Sequence, residues 1–167
     1  LLIGLTPPPG YFPKNVMMNI QGSDSIDVVM KRGAHPLSPT EFEVIANETK
    51  ALVIDTRAAK KFAEGFIPNS INIGIDGNFA VWVGTLVPDI KQEILLITEP
   101  GREEEVITRL ARVGYDNAVG YLAGGFEVWK KSGKDVEIIQ SISPEEFAAI
   151  ETKNPNINTL VGDWHGR

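Results

Sequence analysis

Short, wholly apolar runs alternate with stretches of helical pattern along this chain, and that alternation restricts the fold more than any other feature. Residues 51–54 and 94–97 contain no polar side chain, which is typical of strands buried on both faces of a sheet. Residues 103–113 carry apolar side chains at helical spacing, and parallel strands need such crossover helices between them. The order of elements predicts an α/β fold, in which helices cover both faces of a central parallel sheet.

The predicted sheet has five strands, and its helices have recognisable ends. The strands are predicted at residues 51–54, 70–73, 94–97, 118–121 and 136–139. A helix begins after Ser38, where Pro39 suits the first helical position and Glu41 completes a capping box. Further helices are predicted at residues 60–64, 103–113 and 125–129. Gly65 and Gly114 directly follow the first two, and the third ends near Gly133.

Residues 1–36 are predicted to be irregular, because the proline-rich stretch 6–13 suits neither a helix interior nor a central strand. Two interpretations stay open. The segment is a plain linker, or it is the tail of a preceding domain, since its aromatic and methionine side chains are costly to leave in water. The chain starts at Leu1 and stops at Arg167, within what looks like a folding unit, and this suggests a fragment of a longer protein.

An internal repeat points to two related domains. The helix start at residues 37–42 returns at 142–147, and the run at 52–55 returns at 160–163. The distance is about one domain length. Two helix caps could match by chance, but a tandem pair explains both matches. Residues 141–167 are then the start of a second, truncated copy.

Two groups of residues resemble the signatures of rhodanese-like domains. They occur in the expected order and cover about residues 37–140, where the resemblance implies one rhodanese-like domain with a central parallel five-stranded sheet and helices on both faces. Family members typically have a histidine where Phe66 stands. The matching residues are Asp55-Thr56-Arg57, Phe62 and 65–73 for the first signature, and Leu110, 113–118 and 122–129 for the second.

The resemblance also implies an active-site loop after the strand at 94–97, where the family carries a cysteine that holds sulfur as a persulfide. This chain contains no cysteine. A threonine hydroxyl cannot replace a thiolate of lowered pKa, so the implied domain is catalytically inactive. The loop is about one residue shorter than usual, and Thr98 is the nearest match to the cysteine position, with Glu99 as the alternative.

The rest of that loop is also poorly suited to sulfur transfer. Pro100 removes one backbone N–H from any anion cradle, and Gly101 follows it. The acidic residues 103–105 crowd the start of the next helix, where they complement the helix dipole. Arg102 could hold a small anion, although a surface salt bridge is the simpler interpretation.

Other candidate residues and partners follow from the composition. Asp55 and Arg57 could form a general acid and an anion clamp, or a structural pair at a strand end. His35 and His165 lack ligand spacing, so no metal site and no cofactor are predicted in this chain. The net charge of −6 without a basic cluster argues against nucleic acid. No apolar run is long enough for a membrane span, and the absence of cysteine fits a cytoplasmic location.

Residues 7–15 and 77–84 further resemble a bacterial fusion protein, in which a metallo-β-lactamase-fold domain similar to persulfide dioxygenases precedes one or two rhodanese-like domains. By this resemblance, residues 1–36 are a linker and the tail of the metallo-β-lactamase-fold domain. The parent protein is then a metal-dependent hydrolase or dioxygenase, with iron or zinc in a domain outside this chain. The implied partners are other domains of the same chain, and a homo-oligomer is possible.

The sequence is compatible with three alternative functions. The first is a catalytically inactive domain with a structural or docking role in a multidomain protein of sulfur metabolism. The second is a regulatory module that binds a small anion or persulfide through residues 98–102 without catalysis. The third is an enzyme that uses Thr98, Asp55 or a glutamate.

Overall fold

A computed structural model describes residues 25–154 of the chain and shows a five-stranded sheet in the order β1-β5-β4-β2-β3. All four neighbouring strand pairs are parallel. The predicted α/β architecture with a central parallel five-stranded sheet is therefore confirmed. The strands are β1 (Pro36–Leu37), β2 (Leu52–Asp55), β3 (Ile71–Asn72), β4 (Ile94–Ile97) and β5 (Ala118–Leu122).

Helices cover both faces of the sheet, because side chains alternate across each central strand. Leu96 of β4 joins the apolar core under one set of helices, and its neighbours Leu95 and Ile97 join the core on the opposite face. All four residues of β4 are fully buried, as a wholly apolar run predicts. The helices are α1 (Ile26–Gly33), α2 (Pro39–Glu48), α3 (Ala59–Glu64), α4 (Phe79–Leu86), α5 (Glu103–Arg112), α6 (Gly125–Lys131) and α7 (Pro144–Lys153).

The two cores use different helices. Helices α1, α4 and α5 supply apolar side chains to the core that contains Leu96. Helices α2 and α6 supply Phe42, Phe126 and Trp129 to the other core, where Phe42 and Trp129 meet edge to face at 6.0 Å between ring centroids. Aromatic pairs in this arrangement contribute about 0.5–1.5 kcal/mol beyond their buried area. Within the described residues, no helix has the length and apolar character that a membrane crossing requires.

The fifth strand of the sheet is not the one predicted at 136–139. Residue Glu137 instead forms an isolated antiparallel bridge with Phe66, while β1 occupies the sheet edge beside β5. The reason is burial: Leu37 is 2% exposed, whereas Ile138 is 66% exposed. Gly120 of β5 allows the close approach, because a Cβ at that position would lie 2.7 Å from the Leu37 side chain.

The prediction that residues 1–36 are irregular is wrong for residues 26–33, which are helical. Ile26–Gly33 forms α1, with Asp27 in its first turn and basic residues in its last turn, an arrangement that complements the helix dipole. Val29 is 1% exposed within the core shared with α4 and α5. The proline-rich stretch at 6–13 lies outside the described residues, as do residues 1–24 of the segment 1–36 that is predicted to be a linker and the tail of a preceding domain.

Both copies of the repeated motif form the predicted helix start. In α2, the Ser38 side chain accepts from the Glu41 N–H while the Glu41 carboxylate accepts from the Ser38 N–H; Ser143 and Glu146 do the same in α7. The packing differs, because Phe42 is fully buried and α7 has no buried residue. The run at 160–163 lies outside the described residues, so the second domain and the boundaries of the first stay predictions.

The repeat allows one matched test of which helix belongs to the folded core. Phe42→Ala is expected to lower the free energy of unfolding by about 3–5 kcal/mol, because it leaves a cavity beneath α2. Phe147→Ala removes the same side chain from the same helix position in α7, and we expect a loss below about 1 kcal/mol. Urea unfolding of both variants measures the difference. Equal losses would show that α7 packs as tightly as α2.

Candidate functional site

The candidate site lies where the carboxyl ends of β2 and β4 meet at one edge of the sheet. Asp55 ends β2, and Thr98 directly follows β4. The loop of residues 98–102 then leads into α5. Ligand sites of parallel sheets form at this edge, because the loops that follow neighbouring strands converge there. The structure thus brings together the two groups of predicted site residues, which are far apart in sequence.

A buried ion pair forms the base of this edge. The Arg57 side chain donates from Nε and Nη2 to the Asp55 carboxylate, with a shortest distance of 2.6 Å, and from Nη2 to the Gly65 carbonyl at 2.8 Å. Asp55 is 0% exposed and Arg57 is 6% exposed. The guanidinium carbon lies 4.1 Å from the centroid of the Phe126 ring, within range of a cation–π interaction. No described residue accepts a hydrogen bond from Nη1 of Arg57.

Thr98 is buried beside this pair and lacks a hydrogen-bond partner. The residue is 1% exposed, and its Oγ1 is the one buried side-chain oxygen or nitrogen without a partner among the described residues. A hydroxyl in that state costs about 1–3 kcal/mol unless a ligand or water binds it. Gly125, at the start of α6, approaches the Thr98 carbonyl so closely that a Cβ there would lie 2.9 Å from it. The residue is therefore tightly held.

Thr98 and Arg57 both line a cavity of about 310 Å³, here called the Thr98 cavity. Its wall also carries five exposed or half-buried charged side chains. Lys61 and Glu99 form an ion pair at 2.7 Å. The remaining three, Glu64, Glu127 and Lys130, have no ion-pair partner within residues 25–154. The cavity thus combines buried hydrogen-bond donors with exposed charges of both signs.

Arg102 is not available to the Thr98 cavity. Its guanidinium donates to both oxygens of Asp76 at 2.7 and 2.8 Å and to Glu105 at 2.8 Å. These bonds lower the pKa of both carboxyls and raise that of Arg102. Glu105 also pairs with Arg109 at 2.7 Å. This network, here called the Arg102 network, joins the loop of residues 98–102 to the loop before α4.

The rest of the loop fits a fixed turn. Pro100 lines the cavity without a backbone donor. Gly101 adopts a φ of +88°, a left-handed conformation that favours glycine. The Arg102 N–H donates to the Glu99 carbonyl at 3.1 Å and closes the turn. The loop therefore enters α5 as a tight turn.

Several residues of the site escaped the sequence reasoning. Lys61, Glu64 and Lys130 lie on exposed faces of α3 and α6, where charge is ordinary. The Asp76 partner of Arg102 is 26 residues away in sequence, and no local signal joins them. Phe126 could be suspected from the motif around Gly124, but its contact with Arg57 could not. In the described part of the chain, no three acidic or histidine side chains gather as a metal site.

The comparisons with known proteins agree with this fold. The profile of the family described as rhodanese-like domain matches residues 38–132. An uncharacterized protein of Buchnera aphidicola is 30% identical over 87 residues, which cover 52% of this chain and 60% of that protein. The chain thus spans less than two thirds of this relative's length.

Two solved structures resemble the chain in three dimensions. A metallo-beta-lactamase crystal structure from Staphylococcus aureus matches with a TM-score of 0.56 and 25% identity, covering 73% of this chain and 32% of that one. The NMR structure of a rhodanese-like domain from Anabaena matches with a TM-score of 0.55 and 16% identity, covering 79% and 97%. The second similarity shows the fold alone.

The Arg102 network makes part of the stability dependent on pH. The folded-state pKa values of Asp76 and Glu105 are lowered, mainly by their hydrogen bonds to Arg102. Their contribution is complete above the unfolded-state values of about 4, and it is lost as pH falls through the lowered folded values. The double variant Asp76→Asn/Glu105→Gln should therefore lose less stability than the unaltered chain on acidification.

Urea midpoints at about pH 6 and about pH 3 measure this difference. Glu104→Gln is the matched control, because Glu104 is exposed on the same helix turn and has no ion-pair partner in the described segment. We expect the control to follow the unaltered chain. Equal acid sensitivity of the double variant and the unaltered chain would show that the network contributes nothing.

Proposed function

Because the chain belongs to the rhodanese-like domain family, we propose that this domain keeps the fold of a sulfurtransferase without its chemistry. It serves as a structural or docking unit in a multidomain protein of sulfur metabolism that handles persulfides. The proposal rests on the identity of residue 98. A threonine hydroxyl follows β4 there, in a chain that has no cysteine.

The missing thiol decides against sulfur transfer on chemical grounds. A thiolate attacks a sulfane sulfur, forms a new S–S bond and expels the donor as its leaving group. A threonine hydroxyl is ionised to a negligible extent near neutral pH without an adjacent base, and no histidine of residues 25–154 lines the Thr98 cavity. Arg102, the remaining cation of the loop, is held by Asp76 and Glu105. The described residues therefore offer no thiol nucleophile, and Arg102 is not free to bind an anionic donor.

Two observations support a multidomain parent protein. The matching Staphylococcus aureus structure is a metallo-beta-lactamase, and the similar region covers 32% of it. The repeated capping box opens α7, a helix without buried residues, as the first helix of a further domain would do. In this proposal, iron or zinc chemistry belongs to a metallo-β-lactamase-fold domain, and the described residues contribute no ligand set to it.

A second candidate function is a binding module without catalysis, which recognises a small anion or a persulfide. The specific observation in its favour is the buried Thr98 hydroxyl, which has no hydrogen-bond partner among the described residues, in a residue that lines the Thr98 cavity together with Arg57. Buried polar groups are normally paired in folded proteins, so an unpaired hydroxyl in a cavity-lining residue favours a ligand there. Calorimetric titration with thiosulfate, sulfite and glutathione persulfide tests this function, and no heat at millimolar ligand rejects it.

The single substitution Thr98→Cys is not expected to restore a thiol that is reactive enough for sulfur transfer. Thr98→Cys places a thiol at a position that is 1% exposed, whereas reactive cysteines are partly exposed and electropositive. We expect its alkylation by iodoacetamide to be at least about tenfold slower than that of Thr85→Cys, an equivalent change on the exposed face of α4. A Thr98→Cys thiol that reacts faster than the Thr85→Cys thiol would show a site still tuned for sulfur chemistry.

The docking role needs a separate test in the natural full-length protein. Lysine cross-linking followed by mass spectrometry should join Lys130 or Lys61 of this domain to a metallo-β-lactamase-fold domain. A full-length sequence without a His/Asp metal-binding pattern would exclude the fusion. Cross-links confined to the interior of this domain would exclude the docking role.

A further inference from the structure

The Thr98 cavity has two chemically different parts, and their combination indicates the class of ligand. Its interior presents hydrogen-bond donors from buried side chains, and its exposed wall presents carboxylates and one free ammonium group. We propose that the cavity binds a small zwitterion of the α-amino acid type, with its carboxylate inside and its ammonium group at the opening. This inference rests on the binding module proposed as the second candidate function.

The interior donors suit a carboxylate. Arg57 is 6% exposed and fixed by Asp55, Gly65 and Phe126, yet its Nη1 has no acceptor among the described residues. Thr98 lines the same cavity, and its buried Oγ1 has no hydrogen-bond partner among the described residues. A guanidinium N–H together with a hydroxyl can bind one carboxylate through charge-assisted hydrogen bonds. Because both side chains are immobile, little conformational entropy is lost on binding.

The exposed wall suits an ammonium group better than a second anion. Lys61 is neutralised by Glu99 at 2.7 Å, so the charges left over are Glu64, Glu127 and Lys130. These sum to an excess of one negative charge at the opening. An inorganic dianion would meet this negative wall on its way to Arg57, whose own charge is already balanced by Asp55. A zwitterion instead places its carboxylate at the interior donors and its ammonium group at the negatively charged wall, so each group meets a part of complementary charge.

The size of the cavity agrees with such a ligand. Its volume of about 310 Å³ is at the lower end of the range of about 300–1,000 Å³ typical of small-molecule sites. The Phe126 ring on its wall offers an apolar surface for a side chain. The same volume is far larger than an inorganic anion needs.

Titration with four probes tests the charge pattern. L-Alanine carries both groups, propionate and ethylammonium each carry one, and thiosulfate is an inorganic dianion. Backbone amide chemical shifts of residues 98–99, 101–102 and 124–127 report binding. L-Alanine is expected to bind at least about tenfold more tightly than propionate or ethylammonium, because each of these two probes makes only one of the two charge-assisted contacts.

Variants show whether the two parts act as proposed. Glu64→Gln/Glu127→Gln should weaken L-alanine about fivefold or more, because the partners of its ammonium group are lost, and should not weaken propionate, because the negative wall opposes that anion. Thr98→Val keeps the shape and should weaken both L-alanine and propionate. Glu48→Gln, an exposed change outside the cavity, is the control.

Each contrary result has its own meaning. Binding of thiosulfate but not of L-alanine would overturn the zwitterion and leave an anion-binding module. No binding of any probe would overturn both the zwitterion and the binding module, while the catalytically silent domain would still stand. L-Alanine binding that survives both sets of variants would place the ligand outside the Thr98 cavity and overturn the inference.

Discussion

The buried ion pair between Asp55 and Arg57 joins the parts of the molecule on which the candidate site depends. It fixes the end of β2, is almost entirely buried, and joins the Gly65 carbonyl and the Phe126 ring of α6 to one guanidinium. Taking both charges out of water costs several kcal/mol per ion, which only close geometry and further hydrogen bonds offset. Here the carboxylate receives three side-chain contacts from Arg57 and one from its backbone N–H. The pair therefore holds the wall of the Thr98 cavity in one arrangement.

That arrangement forms in a chain without cysteine, because the apolar cores do not include the loop of residues 98–102. The two apolar cores lie on either side of the sheet, and Thr98 belongs to neither. The loop of residues 98–102 is instead held by its own turn and by the Arg102 network, in which arginine bonds to carboxylates and not to a ligand. A rhodanese-like fold without a thiol thus still contains a cavity with buried polar side chains in its wall.

The parts of this structure that could be predicted from sequence are those with strong local signals. The apolar runs gave β2 and β4, and the capping boxes at Ser38 and Ser143 gave α2 and α7. The fifth strand could not be predicted in this way. Residues 136–139 have the composition that is more typical of a strand, but it is Leu37 of β1 that is buried against Gly120 of β5. Likewise, the burial of Thr98 and the pairing of Arg102 with Asp76 depend on contacts between distant segments. Such contacts leave no pattern among residues that are neighbours in sequence.

We propose that this rhodanese-like domain performs no sulfur transfer. The most direct measurement is thiosulfate-to-cyanide sulfur transfer by the purified chain, followed as thiocyanate formation, with Thr98→Ala measured in parallel. We predict that neither protein forms thiocyanate faster than buffer alone, because the chain has no thiol to carry the sulfur. Turnover by the unaltered chain that Thr98→Ala abolishes would contradict the account, since it would make Thr98 a catalytic residue.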